Sequence, residues 1–363
     1  MRKRILEHLI PREEAVELLL NAWDPPEKTE MIELDKAFGR IAAEDVLSRN
    51  SLPVHRASMG DGIAVRSADF EGAAPDTRAF LKGKDYAPAD TGDDFPDAFD
   101  AVIMIEDVTF HDGGGFTLAP GITISGAENV RPRGAAIREG ELILAKDTKI
   151  RAVHLAALAA GGIAEVKVYR RPKVAFLPTG SELVSRGTVP KRGENVEANG
   201  IMVKTQMENM GAEVRCYDIV RDEIDLLTTA LKNALNEADI VVICAGTAKG
   251  EEDFTHTVLS RCGRVLQHGI STAPGRPVAF AIAENKPVIN IPGPTLGAFY
   301  AVEFCVAPLI NRLLHQPDNK MELLSVQLEN DIETIGFLES MEVILRMQVT
   351  VREGVFLGRT IPV

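Results

Sequence analysis

Between Arg171 and Leu314 one pattern recurs: a short apolar or β-branched run, a break at glycine or proline, then residues at helical spacing. Strands are expected over residues 173–177, 213–220 and 239–244, followed by helices near 199–210, 224–235 and 254–260. Gly211 stands where the first of these helices must end, a position at which glycine takes the left-handed cap. Three further strands, near 264–268, 278–281 and 287–291, lead into a long apolar helix over 296–314. Strands that alternate with helices rejoin one another in parallel, so the segment reads as a doubly wound, mostly parallel α/β sheet with helices on both faces. Ligands of such sheets sit at the carboxyl ends of the strands, near the point where strand order reverses.

Three expected strands end in small-residue turns: Phe176-Leu-Pro-Thr-Gly-Ser-Glu182, Val242-Ile-Cys-Ala-Gly-Thr247 and Asn290-Ile-Pro-Gly-Pro-Thr295. A glycine there lets a ligand approach the backbone, and the amides of a following helix favour an anion, so the three turns together point to phosphate binding. Neither G-x-G-x-x-G nor G-x-x-x-x-G-K-[ST] occurs, which argues against a dinucleotide dehydrogenase and a P-loop hydrolase. Glu182 follows the first turn, and Glu251, Glu252 and Asp253 follow Gly250. Carboxylates beside phosphate turns suit Mg²⁺, a hard ion that prefers oxygen ligands, with Glu182 and Glu251 the candidate ligands. Asp253, ahead of Phe254, reads equally as a helix cap. Arg276 is either a clamp for an oxyanion or a solvated loop residue, and His268 either a ligand or a half-buried strand end.

The rest of the chain has another texture. Residues 11–23 open with proline and glutamates, as a helix does, and Asp24-Pro-Pro26 stops it. A strand is expected near 31–34 and a helix over 37–43. From Leu52, short β-like runs at 63–65, 101–105, 116–118 and 141–144 are separated by Gly, Pro and Asp clusters, the pattern of a small β-rich insert. Helical spacing returns over 151–160, as if the insert interrupts a helical domain whose two pieces pack together. After Gln316, residues 323–363 read as several strands, too few for a barrel, that pack on another domain or subunit. Within the insert, Asp61 lies between two glycines ahead of an apolar run, a composition that a plain turn explains.

Composition narrows the partners. With 40 basic and 53 acidic residues the formal net charge is −13, and no basic stripe exceeds Met1-Arg-Lys-Arg4 or Arg131-Pro-Arg133, so nucleic acid is not an expected partner. Cys216, Cys244, Cys262 and Cys305 stand 28, 18 and 43 positions apart, a spacing for free thiols rather than a zinc site or disulfide framework. No uncharged apolar run approaches the ~18 residues of a membrane span. The N-terminal stretch is too short and charged for a signal peptide, and the expectation is a cytoplasmic protein.

Taken in order, the motifs resemble the MoeA/gephyrin-E family of molybdopterin molybdenumtransferases. Leu52-Pro53, Ser58, Asp61-Gly62 and Ala64-Val-Arg-Ser-Ala-Asp69 follow one family signature. Thr91-Gly92, Pro96 and Asp100-Ala-Val-Ile-Met-Ile-Glu-Asp107 follow a second, and Asn129-Val-Arg131 with Gly134 a third. Thr179-Gly180 with Glu182-Leu183, Ala245-Gly246 with Gly250 and Asp253-Phe254, and Pro274-Gly275 with Pro277 complete the series. The resemblance implies a MoeA-like α/β multidomain chain with four parts. Residues 1–46 and 146–170 would form subdomain I, 47–145 the β-rich subdomain II, 171–316 the molybdopterin-binding α/β subdomain III, and 317–363 a short β subdomain IV. It also implies a homodimer that takes adenylylated molybdopterin and molybdate, uses Mg²⁺ and releases AMP. An adenylyltransferase would supply the conjugate, and an apo-molybdoenzyme would receive the product.

On that pattern Asp61, Thr91, Glu182 and Glu251 are the catalytic candidates. Ser58, Thr179, Gly180, Gly246, Thr247, Gly250, Pro274, Gly275, Arg276, Pro292 and Gly293 are the candidate ligand-binding residues. The chain departs from the family pattern at several of its motifs. Ser181 stands at an Asp position, Glu251 at another, Ala245 at a Gly, Ala248 at a Ser, Ala273 at a Lys and Pro294 at an Asn. Ala135-Ala136 replaces an acidic pair, and Ile63 replaces a Tyr. Beside a molybdenum- or tungsten-inserting enzyme, these changes admit a carrier or sensor of the pterin without turnover, and, more remotely, a different nucleotide-dependent transferase.

Overall fold

The computed structural model describes residues 8–72, 75–245, 251–317, 324–332 and 341–361, with the side chains of 251–253 left aside. The chain divides into two compact units, one formed by Met1–Glu30 with Tyr169–Val363 and the other by Met31–Val168.

The larger unit is built on six strands: β1 (Lys173–Thr179), β2 (Glu213–Cys216), β3 (Ile240–Ala245), β4 (Arg264–His268), β5 (Ala279–Ala283) and β6 (Lys286–Pro292). Their order is β2-β1-β3-β6-β5-β4. The first four in that order run parallel, β5 is antiparallel to β6, and β4 is antiparallel to β5. The helices are α1 (Arg12–Asn21), α2 (Asn199–Asn209), α3 (Ile224–Glu237), α4 (Glu251–Cys262), α5 (Thr295–Ala301) and α6 (Ala307–Leu313). A π-helical stretch, Val302–Val306, joins α5 to α6.

Strands buried on both faces carry apolar side chains at successive positions. On one face Ala175, Leu177, Val241 and Ile243 meet Leu227, Leu231 and Leu235 of α3 and Val258 and Leu259 of α4. The leucines of α3 recur every four residues, so they form one stripe, and each contributes about 2 kcal/mol by leaving water. On the other face α2 packs against β1 and β2, and α5 against β6. Among the described residues one helix, Thr295–Leu313, is long and apolar enough to cross a membrane, but 56% of it is buried in the unit. It is a core helix.

Strand order reverses between β1 and β3. The chain leaves β1 through α2 for the edge at β2, then leaves β3 through α4 for the opposite side. Thr179, Ala245 and Pro292 lie level with one another at this reversal.

Several expectations are redrawn. Helix α1 makes its contacts in the larger unit, where Ile10 bridges Ile270 and Arg312 donates to the Leu20 carbonyl (2.8 Å). The expected helix over 37–43 is absent. Gly39 adopts φ +75°, and Ile41 and Ala42 make isolated bridges to Lys149 and Val168 instead. Strand β2 stops at Cys216, and Val220 returns only as a bridge to Thr179. Helix α4 begins at Glu251, so Asp253 lies inside its first turn rather than capping it. The C-terminal residues form a three-stranded sheet of Gln327–Leu328, Met347–Arg352 and Val355–Thr360, while Glu342–Val343 pairs with Thr272–Ala273 of the same chain.

Among its described residues the smaller unit has three apolar clusters. One surrounds the helix Ala152–Ala160 through Leu158, Ile150, Val166 and Val168. The other two lie on opposite faces of a three-stranded antiparallel sheet, Tyr86–Ala89, Gly62–Val65 and Ala101–Met104, with Ile63 and Val65 on one face and Ala64 on the other. That alternation is the period of two that strands impose on their side chains.

Candidate functional site

A cavity of about 310 Å³ opens at the carboxyl ends of β1, β3 and β6. Pro178, Thr179 and Glu182 line it from the first strand end, Cys244 from the second, and Gly293, Pro294 and Thr295 from the third. The expected Thr179, Glu182 and Gly293 thus come together where strand order reverses.

The first turn is held by a residue the sequence did not single out. Asp222 accepts from the Thr179 hydroxyl (3.2 Å) on one carboxylate oxygen and from the Ser181 amide (2.9 Å) on the other. Its own amide donates to Ser181 Oγ (3.1 Å). Gly180 has no room for a side chain, since a Cβ would lie 2.9 Å from both carboxylate oxygens of Glu182 and from Leu183 Cγ. The glycine therefore lets the Glu182 carboxylate fold back over the turn. Leu183–Val184 pairs in parallel with Asn195–Val196, which forms the rim and feeds helix α2.

Two more residues of the rim escaped sequence reasoning. Glu197 accepts from the Gly200 amide (2.6 Å) in the first turn of α2 and lines the cavity. Asn199 donates from Nδ2 to the Gly293 carbonyl (2.7 Å) and to Cys244 Sγ (3.3 Å). It thereby joins the ends of β3 and β6, while its Oδ1 is buried with no partner among the described residues. Glu197-Ala-Asn199, an acid and an amide at the mouth of a helix, was the available signal. Burial pushes the Cys244 thiol up to about 12, so it is a packing group rather than a nucleophile.

Pro274, Gly275 and Arg276 do not line this cavity; they adjoin it. A Cβ on Gly297 would meet Pro292 at 3.2 Å and the Gly275 amide nitrogen at 3.8 Å, so the loop lies against the end of β6. Gly275 has φ +126° and open space where a side chain would stand. Arg276 Nε is buried without a partner among the described residues. Gly246, Thr247 and Gly250 lie outside the described residues, as does the side chain of Glu251.

The smaller unit carries its own group. Thr91 donates to one oxygen of Asp61 from both its hydroxyl (2.7 Å) and its amide (2.9 Å). Those bonds, the hydroxyl's above all, hold the Asp61 carboxyl below its ordinary range. Asp61 lines a cavity of about 420 Å³ with Lys82, Tyr86, Asp90 and Phe110 among its other walls. Gly62 tolerates no side chain, since a Cβ there would fall 2.0 Å from the Ile103 carbonyl, whereas one on Gly60 would meet only the movable Met104 side chain, its methyl at 2.2 Å. Gly62 thus marks close backbone packing as well as a turn. Ser58 is not a ligand-facing residue. It is buried, its hydroxyl donates to the Gly60 carbonyl (2.5 Å), and it braces the loop from inside.

Residues 10–162 match the family described as the MoeA N-terminal region (domain I and II), and residues 175–312 match a probable molybdopterin binding domain. A molybdopterin molybdenumtransferase of Haemophilus influenzae is 33% identical over 305 residues, spanning 80% of this chain and 74% of that protein. One of Staphylococcus aureus is 30% identical over 322 residues, spanning 84% and 76%. The crystal structure of a molybdopterin biosynthesis MoeA protein from Pyrococcus horikosii superposes with a TM-score of 0.79 at 29% identity, covering 98% of this chain and 90% of that one.

Proposed function

This chain belongs to the MoeA family of molybdenum cofactor biosynthesis proteins, and on that premise we propose that it is a molybdopterin molybdenumtransferase. It takes adenylylated molybdopterin and molybdate and releases AMP with the metal-loaded cofactor. The observation that supports this most is the convergence of three strand ends at one cavity, with Thr179, Glu182 and Gly293 around it. Small-residue turns and a helix entrance favour the phosphates of such a conjugate. Asp222 accepts from the Thr179 hydroxyl and the Ser181 amide, so the backbone of the turn is already ordered before a phosphate arrives.

Among the described residues no cluster of three His, Cys, Asp or Glu side chains is placed to hold a metal. Glu182 and Glu197 nonetheless line one cavity, and Mg²⁺ ordinarily takes one or two carboxylates and completes its shell with substrate phosphates and water. The donor set fits an ion held jointly with the substrate, with Glu182 the protein ligand; it would offset negative charge on the phosphoanhydride. Arg276, with an unpartnered Nε, is the residue assigned to molybdate. Asp61, whose pKa Thr91 lowers, is the acidic group assigned in the smaller unit. The reading includes a homodimer, which sedimentation would check.

The test is incubation of the purified protein with adenylylated molybdopterin, Mg²⁺ and molybdate. AMP release is the expected result, and none with either molybdate or tungstate rejects the assignment. A second reading, a pterin carrier or sensor, is favoured by Ser181, whose hydroxyl engages the Asp222 amide where the family pattern has a carboxylate. It predicts tight cofactor binding without AMP release.

A further inference from the structure

Residues 270–276 carry Pro274, Gly275 and Arg276 in irregular backbone, which holds one conformation only if its polar groups find partners elsewhere. Part of the support is internal: the Ile270 amide donates to the Arg276 carbonyl (3.0 Å) and the Val278 amide to the Gly275 carbonyl (3.2 Å). A second part comes from the N-terminal segment, where the Ile10 carbonyl accepts from the Ser271 amide (2.9 Å). The third comes from the C-terminal segment. The Glu342 amide donates to the Ser271 carbonyl (2.7 Å) and the Ile344 amide to the Ala273 carbonyl (2.8 Å), adding Glu342–Val343 as a parallel strand.

Backbone pairing alone would accept any side chain at 342. The glutamate makes three further contacts. Its Oε2 accepts from Arg12 Nε (3.0 Å) and from the Thr272 hydroxyl (3.0 Å), and its Oε1 accepts from Arg12 Nη2 (2.9 Å). Arg12 lies 4.2 Å over the Phe304 ring, with only 13% of its side chain exposed. A forked guanidinium–carboxylate pair fixes direction as well as distance. One carboxylate therefore ties the start of α1, the loop residue Thr272 and the C-terminal strand into a single clamp.

We propose that Glu342 is a positioning residue, which through Arg12 and Thr272 holds residues 273–276, and with them Arg276, in place for an oxyanion. This rests on the role given to that loop under the proposed function. The C-terminal segment is then part of the binding apparatus of its own chain.

The test compares wild type with Glu342→Gln, which keeps the shape but breaks the fork, and with Thr272→Val, which removes one hydrogen bond at constant volume. Arg12→Lys keeps the charge without the fork. Hydrogen exchange at the amides of 271–273, 275 and 276 is expected to quicken about tenfold in Glu342→Gln, as follows from losing one charge-assisted bond, with β3 unchanged. The KM for molybdate should rise by a similar factor while kcat and the KM for adenylylated molybdopterin hold. Thr272→Val and Arg12→Lys should move both readouts in the same direction by less. Asp225→Asn, which breaks a distant pair with Arg261, should move neither. Unchanged exchange in 271–276 overturns the proposal, and so does quickened exchange with an unchanged KM for molybdate. A wild type that releases no AMP rejects the functional reading by itself, and the exchange comparison then decides alone whether Glu342 holds the loop.

Discussion

Asp222 is the residue on which the order of the first ligand turn most depends. Its two oxygens each accept one bond, from the Thr179 hydroxyl at 3.2 Å and the Ser181 amide at 2.9 Å. Hydrogen bonds to an ionised group contribute about 1.5–3 kcal/mol each when well shielded, and a half-buried pair falls at or below the low end, so Asp222→Ala should cost about 2 kcal/mol. Asp222→Asn should cost far less, because its carbonyl can keep the Ser181 amide while the Thr179 hydroxyl rotates to accept from the new amide. The sole tryptophan, Trp23, is buried in the same unit, so its fluorescence during urea unfolding reads that unit's stability. Turn displacement of about 1 Å corresponds to roughly a hundredfold loss of rate, so AMP release by Asp222→Ala should fall by that order while Asp222→Asn stays near wild type. An alanine variant with an unshifted Trp23 transition and full AMP release would refute the reasoning. Equal damage in both variants would show that charge, rather than turn geometry, is what matters.

Gly180→Ala places a Cβ 2.9 Å from the Glu182 carboxylate, which must retreat by about 0.5 Å to reach ordinary contact. AMP release should fall about tenfold with little change in the Trp23 transition, and an unaffected rate would remove Glu182 from the site. Thr91→Val removes the larger of the two bonds that lower the Asp61 pKa, so the acid limb of AMP release should move to higher pH, and an unmoved limb would dissociate Asp61 from turnover. Asp239 is pushed up by burial but held below its ordinary range by Lys28, the Lys173 amide and Arg170, which outweigh it. A lowered folded pKa adds stability above the unfolded value, about 3.9, and loses it as pH falls through the folded one. Asp239→Asn should therefore weaken the Trp23 transition by about 1–3 kcal/mol at pH 7, with a gap that closes in acid; a gap independent of pH would contradict the assignment.

The sheet was legible because its signals are local. Strands buried on both faces must be apolar at nearly every position, and the leucines of α3 recur every four residues, so short windows reveal both. The failures are tertiary. Residues 37–43 have acceptable helical composition, yet Gly39 turns with φ +75° and Ile41 and Ala42 find strand partners more than a hundred positions away. Helix α1 was legible as a helix, but its contacts with Ile270 and Glu342 span more than 250 residues, which no window contains.

The site shows the same division with a sharper cause. Thr179, Glu182 and Gly293 were visible because they sit at strand ends, where topology alone makes a ligand site, and the resemblance marked Asp61 and Thr91. Asp222, Glu197 and Asn199 were not, because each acts on a backbone group whose identity leaves no trace in sequence: the Ser181 amide, the Gly200 amide, the Gly293 carbonyl. Ser58 is the converse error, a motif residue that faces inward. The departures from the family pattern can be reread in this light. Ser181 gives up a carboxylate, yet its hydroxyl accepts from the Asp222 amide and so takes part in the Asp222 clamp. Ala273 has no such compensation of its own, yet its carbonyl is held by the C-terminal strand and the same loop carries Arg276 with an uncommitted donor. A loop that has lost one cation and kept its scaffold should select oxyanions less by charge than by fit, so comparing molybdate with the smaller, similarly charged phosphate and the near-isosteric tungstate separates the two. Tungstate accepted as readily as molybdate, with phosphate excluded, is the expected ranking; phosphate competing on equal terms would mean that charge alone governs the loop.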